Sequence, residues 1–133
     1  MSKPTAAVRE STYERDMHRC VSCGVMVSLS FQHRRAVGNG GSKIRPTCED
    51  GLTLCLLCNS KCETLALQAR ALYFGWKVRR WVKDPSRVPV YYPHEFEWFR
   101  LVGTRRERIT AGEAHEMMRD VYGDEHETWR AAA

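Results

Sequence analysis

Two Cys-x-x-Cys pairs constrain the fold of this chain more than any other feature. The first pair is Cys20 and Cys23, and the second is Cys55 and Cys58. Four thiolates with this spacing are typical of a closed tetrahedral zinc site, which would tie together the two ends of the segment between the pairs. That segment carries a histidine, several basic residues and the glycine-rich loop 38–42.

The remaining sequence favours zinc over disulfide bonds at these cysteines. The N-terminus has no apolar signal-peptide region, and no stretch is as long and apolar as a membrane span. We therefore expect a cytoplasmic protein with no membrane contact, where thiols stay reduced. Disulfides or unrelated buried thiols are the alternatives. Cys48 and Cys62 are expected to be small buried thiols, although Cys62 is close enough to Cys58 to be a rival zinc ligand.

Positive charge is concentrated in the part of the chain that holds the cysteines. Residues 1–83 contain 14 Lys and Arg against 6 Asp and Glu, whereas residues 84–133 contain 7 against 10. A concentrated positive field is the sequence-independent part of nucleic-acid binding. The alternative is a solvated basic surface.

Local patterns predict an α+β protein. Residues 5–16 are predicted to form a helix with Thr5 as its N-cap. Residues 25–33 and 52–54 are predicted strands, and apolar residues from Cys62 to Tyr73 recur at helical spacing until Gly75. The order is strand, loop, strand, helix.

Beyond residue 75 the pattern changes, so we expect a core over 1–75 and a C-terminal extension over 76–133. Residues 76–82 alternate like a strand or an extended arm, and residues 88–92 and 96–102 resemble further extended pieces. Thr110 and Glu113 have the spacing of a capping box, which opens one helix ending at Gly123. The tail after Gly123 is expected to be loose, and His126 to lie at the surface.

These motifs together resemble a known family. The sequence Cys20-Val-Ser-Cys23, then Gln32-His33-Arg34-Arg35 with its glycines, then Leu52-Thr-Leu-Cys55-Leu-Leu-Cys58-Asn59, looks like an HNH endonuclease of the zinc-knuckle type, especially the small phage-encoded ones. The resemblance covers about residues 7–75. It implies a ββα-metal (His-Me finger) core that hydrolyses DNA phosphodiesters, and for a phage-encoded protein a location in the host cytoplasm.

The resemblance also implies roles for individual residues. His33 falls on the general base, and Asn59 on a ligand of the catalytic divalent cation, Mg²⁺ or Mn²⁺. The position before the base usually holds an acidic residue or histidine but here is Gln32, which is a weaker cation ligand. Asp50 falls on the middle position of the motif. The residues expected to contact the phosphates of double-stranded DNA are Arg34, Arg35, Lys43 and Arg45.

Two other functions stay open at the level of sequence. Loss of the acidic cation ligand favours a catalytically silent zinc-containing protein that binds DNA or regulates. The third interpretation is a zinc-organised protein-interaction module, with a phage packaging or replication protein as partner. Residues 76–81, with two tryptophans and three basic residues, are predicted either to grip DNA or to cover the helix before them.

Overall fold

A computed structural model describes residues 3–36 and 44–133 and shows a mixed α+β protein. The described residues form five α-helices and two small antiparallel sheets, which confirms the α+β prediction. The loop 38–42 and Lys43 lie outside the described residues, so their predicted roles stay predictions. Among the described helices, none has both the length and the apolar character needed to cross a bilayer.

The N-terminal helix docks through a buried polar network. Helix α1 spans Ala6–Arg15, and Thr5 caps it as predicted, with Oγ1 accepting from the Val8 N–H at 3.1 Å. At its other end Arg15 pairs with Asp16 at 2.9 Å, and both are buried. Asp16 also accepts from the Tyr92 hydroxyl and the Thr53 N–H. This charge pair therefore joins α1 to both sheets.

The first sheet and the helix after it follow the predicted order. Strand β1 (Leu29–His33) pairs antiparallel with β2 (Gly51–Cys55), which places His33 opposite Gly51. Helix α2 (Leu56–Lys61) begins directly after β2, and α3 (Leu65–Tyr73) ends just before Gly75, which has a φ of 75°. The predicted helix before Gly75 is present, and the short α2 precedes it.

The C-terminal half is more regular than the sequence suggests. Strands β3 (Val90–Tyr92), β4 (Glu97–Val102) and β5 (Arg105–Ile109) form the second sheet in that order. The sequence did not indicate β5, because its Arg and Glu residues lack an alternating apolar pattern. Residues 76–82 contain no strand and make one bridge, between Val78 and Arg35.

The last helices correct the expectation of a loose tail. Helix α4 (Ala111–Tyr122) opens at the predicted capping box of Thr110 and Glu113. A further short helix, α5 (Glu125–Thr128), follows Gly123, and both His126 and Trp129 are buried. The tail is ordered because His126 stacks on Tyr73 of α3, at 4.6 Å between ring centroids.

Two apolar clusters form the core. The first surrounds the cysteines and includes Leu52, Leu54, Tyr92 and Leu101. The second lies between α3, α4 and the second sheet. Because the first cluster contains residues from both sides of position 75, the core and the extension share one hydrophobic interior; the boundary at 75 stays a prediction.

Candidate functional site: a four-cysteine cluster beside a histidine pocket

The structure brings the four predicted zinc ligands together. The sulfur atoms of Cys20, Cys23, Cys55 and Cys58 all lie within 4.8 Å of one another. Cys23 Sγ and Cys55 Sγ are 3.8 Å apart, which is about the edge length of a tetrahedron with Zn–S bonds of about 2.3 Å. The donor set and its spacing therefore fit a metal such as zinc.

Each cysteine pair is shaped by its own backbone. The Cys23 N–H points to Cys20 Sγ at 3.5 Å, and the Cys58 N–H points to Cys55 Sγ at 3.4 Å. Such N–H donors stabilise thiolates, which are the ligand form of cysteine. The first pair follows α1 in a turn, whereas the second lies where β2 enters α2. A bound metal would thus link the N-terminal turn to the strand–helix junction.

Burial acts on the protonation of these thiols. It raises the pKa of Cys20 and of Cys58 above the ordinary thiol value. Burial also favours a higher pKa for Cys55. Hydrogen bonds, above all from the Cys58 N–H, outweigh it and lower the pKa of Cys55 below the ordinary thiol value. Metal binding must therefore displace protons from the cluster, which makes it depend on pH.

Cys48 and Cys62 stand apart from the cluster. Both are buried, as expected, and neither belongs to the four-sulfur group found in the described residues. Burial raises the pKa of Cys62 to about 11. Cys62 is therefore a structural thiol and not a rival zinc ligand. It lines a cavity other than the histidine cavity described below.

A small open cavity of about 190 Å³ lies at the end of the first sheet. It contains His33 and Asn59, which were predicted for catalysis, and Gln32, which was predicted as a weaker cation ligand. Its full lining is Phe31, Gln32, His33, Arg35, Ala36, Asn59 and Glu63. Strand β1 supplies the histidine and α2 supplies the asparagine. The strand–strand–helix order thus brings together residues that are far apart in sequence.

Phe31 contacts His33 in the lining of this cavity. Its ring meets the His33 ring edge-on, with centroids 5.3 Å apart and planes at 80°. The same ring lies directly over Gly51, where a methyl group would sit 2.1 Å from Phe31 Cζ. A larger residue at position 51 would force the Phe31 ring to move, so the close approach of Phe31 to β2 depends on this glycine. Sequence reasoning missed both residues, although a glycine opening a strand is the signal of such an approach.

Ser30 orients the asparagine. Asn59 Nδ2 donates to Ser30 Oγ at 3.1 Å, and Ser30 Oγ donates in turn to the Leu54 carbonyl at 2.8 Å. Because its nitrogen is held in this way, the side-chain oxygen of Asn59 is the atom left for a ligand. Sequence reasoning missed Ser30, because nothing in the pattern of β1 distinguishes it.

Gln32 has a buried oxygen without a partner. The side chain is 2% exposed, and Nε2 donates to the Trp76 carbonyl at 2.9 Å. Its Oε1 has no hydrogen-bond partner among the described residues. An orphaned buried acceptor costs about 1–3 kcal/mol, so a ligand or water at this point would recover that free energy.

Glu63 adds a carboxylate that sequence reasoning did not include. It lines the cavity four residues after Asn59, and its Oε1 pairs with Lys77 Nζ at 2.6 Å. Lys77 is buried, whereas the Glu63 side chain is 60% exposed. The spacing of four residues is the signal that would have found it.

The prediction that Arg34 contacts phosphate is wrong. Its side chain is fully buried and donates to the carbonyls of Gly75, Glu49, Pro85 and Val88 at 2.8–3.1 Å. These five bonds use all five N–H groups of the guanidinium. Burial, with the nearby charge of Arg15, lowers its pKa to about 10, so it stays charged at neutral pH. Arg34 is a structural cation in the interior of the protein.

The other predicted phosphate contacts differ in position. Arg35 lines the cavity, donates to the Val82 carbonyl at 2.9 Å and keeps a buried Nε without a partner in the described chain. Arg45 is exposed and donates a hydrogen bond to the Lys3 carbonyl at 3.3 Å.

Asp50, predicted for the middle position of the motif, accepts from the Thr47 N–H and hydroxyl and closes a 3₁₀ turn. The Asp50 backbone carbonyl accepts from the Arg34 N–H, which joins the two sides of the loop next to His33.

Comparison with protein-family models, characterised proteins and solved structures finds no match to this chain.

Proposed function

We propose that this protein is a metal-dependent DNA endonuclease of the HNH type with a zinc-stabilised ββα-metal core. The observation that carries the proposal is the cavity whose lining includes His33, Asn59 and Gln32, beside the four-cysteine cluster. The surplus of positive charge over residues 1–83 supports a nucleic-acid substrate.

The chemistry follows from the side chains in the cavity. An imidazole takes a proton from water near neutral pH, and the resulting hydroxide attacks phosphorus while the bond to the 3′ oxygen breaks. Phe31 limits how the His33 ring can turn, and Ser30 holds the amide of Asn59. Gln32 and Asn59 would hold a divalent cation, which supplies positive charge to the departing oxygen. Arg35 would attract the phosphate.

Nicking of supercoiled plasmid tests the proposal. Wild type with Mg²⁺ or Mn²⁺ should convert supercoiled to open circular DNA, and His33→Ala should do so at least about 100-fold more slowly because the general base is lost. His18→Ala is the matched control, since His18 lies outside the cavity. Plasmid cutting by His33→Ala at the wild-type rate would refute the proposal.

One observation favours a second candidate, a catalytically silent protein that binds DNA. The carboxylate of the cavity, Glu63, is neutralised by Lys77, so the cavity offers little negative charge to a dication. In that case no variant nicks plasmid, although wild type binds DNA with a strong salt dependence.

A further inference from the structure

An exposed tryptophan lies beside the cavity and has no role in the chemistry above. Trp81 is 58% exposed, whereas Trp76, Trp98 and Trp129 are 3%, 7% and 5% exposed. A large aromatic ring left in water forgoes about 1.5–3 kcal/mol of burial free energy.

The segment that carries Trp81 is hydrogen-bonded to the two residues that follow β1. The Val78 N–H donates to the Arg34 carbonyl at 2.7 Å, and Arg35 reaches the Val82 carbonyl at 2.9 Å. The Trp81 ring itself rests against Tyr122 of α4, with centroids 5.6 Å apart and planes at 86°. Tyr122 thus packs against one side of the indole, and the hydrogen bonds to Arg34 and Arg35 hold its segment next to His33.

A groove leads from the histidine cavity to this ring. A second cavity of about 440 Å³ shares Ala36 and Glu63 with the first and extends to Arg80 and Trp81. Trp81 also borders a third cavity, of about 260 Å³, whose lining includes Lys83 and Arg87. The ring therefore stands between two hollows, one of which is continuous with the candidate active site.

Exposed cations lie around Trp81, together with the carboxylates of Asp84 and Asp120, which line the third cavity with it. Arg80, Lys83 and Arg87 are exposed, and within the described residues none of the three forms an ion pair. Nearby Arg79 is different, because it pairs with Glu125 at 2.9 Å. An aromatic ring among unpaired cations is the arrangement with which proteins hold single-stranded nucleic acid: the cations contact phosphates and the ring stacks on a base.

We propose that Trp81 stacks on an unpaired base of the DNA strand that enters the active site, so that the preferred substrate is single-stranded or branched DNA and not continuous duplex. This inference rests on the proposed nuclease function, because that function makes the groove the path by which a DNA strand reaches His33. A base held within a continuous duplex has no free face for the indole. Trp81 is therefore a specificity-determining residue.

Tryptophan fluorescence tests the proposal directly, because Trp81 is the exposed indole. The His33→Ala protein, which should bind without cutting, is titrated with a thymidine oligomer of about 12 nucleotides and with a blunt duplex of equal length. The oligomer should quench the fluorescence and protect it from iodide, and the duplex should do neither. Trp81→Ala in the same background should bind the oligomer about 5- to 150-fold more weakly, whereas Trp81→Phe should retain most of the affinity.

Phe96→Ala is the matched control, because Phe96 is also an exposed aromatic residue, at 82%, and it lines neither groove cavity. It should bind the oligomer as tightly as its parent. Equal affinity of Trp81→Ala and its parent, or equal quenching by duplex and oligomer, would overturn the proposal. If Trp81 responds as expected while wild type cuts neither plasmid nor single-stranded or branched DNA, the stacking site stands and the nuclease function falls. If wild type nicks plasmid but Trp81→Ala binds normally, the reverse holds.

Discussion

At the scale of single residues, burial decides what each charged or polar side chain does. Arg34 and Arg35 are adjacent and look equivalent in the sequence, yet one is fully buried and the other lines a cavity. A buried guanidinium is tolerated only when its donors are satisfied, and Arg34 meets that condition with five carbonyl bonds. Its function is therefore to join segments that meet around it.

We expect Arg34→Lys to destabilise the protein by about 3 kcal/mol or more, because an ammonium has three donors and leaves buried carbonyls unpaired. Urea unfolding followed by circular dichroism measures the loss. Arg45→Lys is the control and should change the unfolding free energy by less than about 0.5 kcal/mol, since Arg45 is exposed. Equal stability of the two variants would contradict the structural role of Arg34.

The Ser30–Asn59 hydrogen bond yields a prediction about cation affinity. Asn59→Ala removes the proposed ligand and should raise the Mg²⁺ concentration needed for half-maximal cutting by at least about 10-fold. Ser30→Ala leaves the ligand but frees its orientation, so the concentration should also rise, but less than in Asn59→Ala. Plasmid nicking over a magnesium series measures both. An unchanged requirement in Asn59→Ala would remove this residue from the cation site.

At the scale of elements, short-range order and long-range contact contribute differently. Helix α4 forms where its capping box predicts, because Thr110 and Glu113 bond each other's backbone N–H groups at 3.1 Å. Helix α5 has four residues and is too short to be stable alone. It exists because His126 and Trp129 find aromatic partners on α3 and α4, Tyr73 and Tyr122.

His126 should therefore make the docking of α5 sensitive to acid. Burial lowers its pKa, and the proximity of His115 adds to that effect. The unfolded chain takes up a proton near pH 6.5 while the folded chain stays neutral to lower pH, so the unfolding free energy falls as the pH drops below about 6.5.

Thermal unfolding between about pH 7.5 and pH 5 checks this sign. His126→Phe keeps a ring to stack on Tyr73 but cannot be protonated, so it should lose less stability over this range than wild type. His18→Phe is the control, because His18 is exposed. Parallel pH profiles for wild type and His126→Phe would refute the prediction.

At the scale of the whole molecule, the cysteine cluster and the shared core hold the halves together. The cluster joins the turn after α1 to the junction of β2 and α2, and Trp76, Phe99 and Leu101 from the C-terminal half pack in the same apolar core. A structural zinc ion contributes on the order of 10 kcal/mol to folding. Loss of the metal should therefore affect the entire protein.

We expect one tightly held zinc ion per chain, and we expect Cys20→Ser or Cys55→Ser to lower the zinc content and to give molten or insoluble protein. Acid should release the ion, because protons compete for thiols whose pKa burial raises. Elemental analysis and thermal unfolding measure these effects. Cys62→Ser is the matched control: a buried cysteine outside the cluster, it should keep the zinc. Normal zinc content in Cys20→Ser would exclude the four-thiolate site.

Patterns of neighbouring residues were sufficient for part of the site. The two Cys-x-x-Cys pairs identified the cluster, because each pair shapes itself through a local N–H to sulfur bond and only the joining of the pairs requires the fold. The capping residues of α1 and α4 and the strands β1 and β2 were predictable for the same reason: their signals lie within a few residues. The resemblance to HNH endonucleases led us to expect His33, Gln32 and Asn59 in one site, and all three line one cavity.

Contacts between distant segments determined the remainder. The burial of Arg34, the anchoring of Asn59 by Ser30 and the exposure of Trp81 each depend on which chain segments meet, and no local pattern encodes that. The sequence by itself determined which four cysteines cluster, the element order and the basic character of the first 83 residues, because these depend on residue type and spacing. Only the tertiary structure decided which cations face solvent, since packing determines where charge can be hydrated.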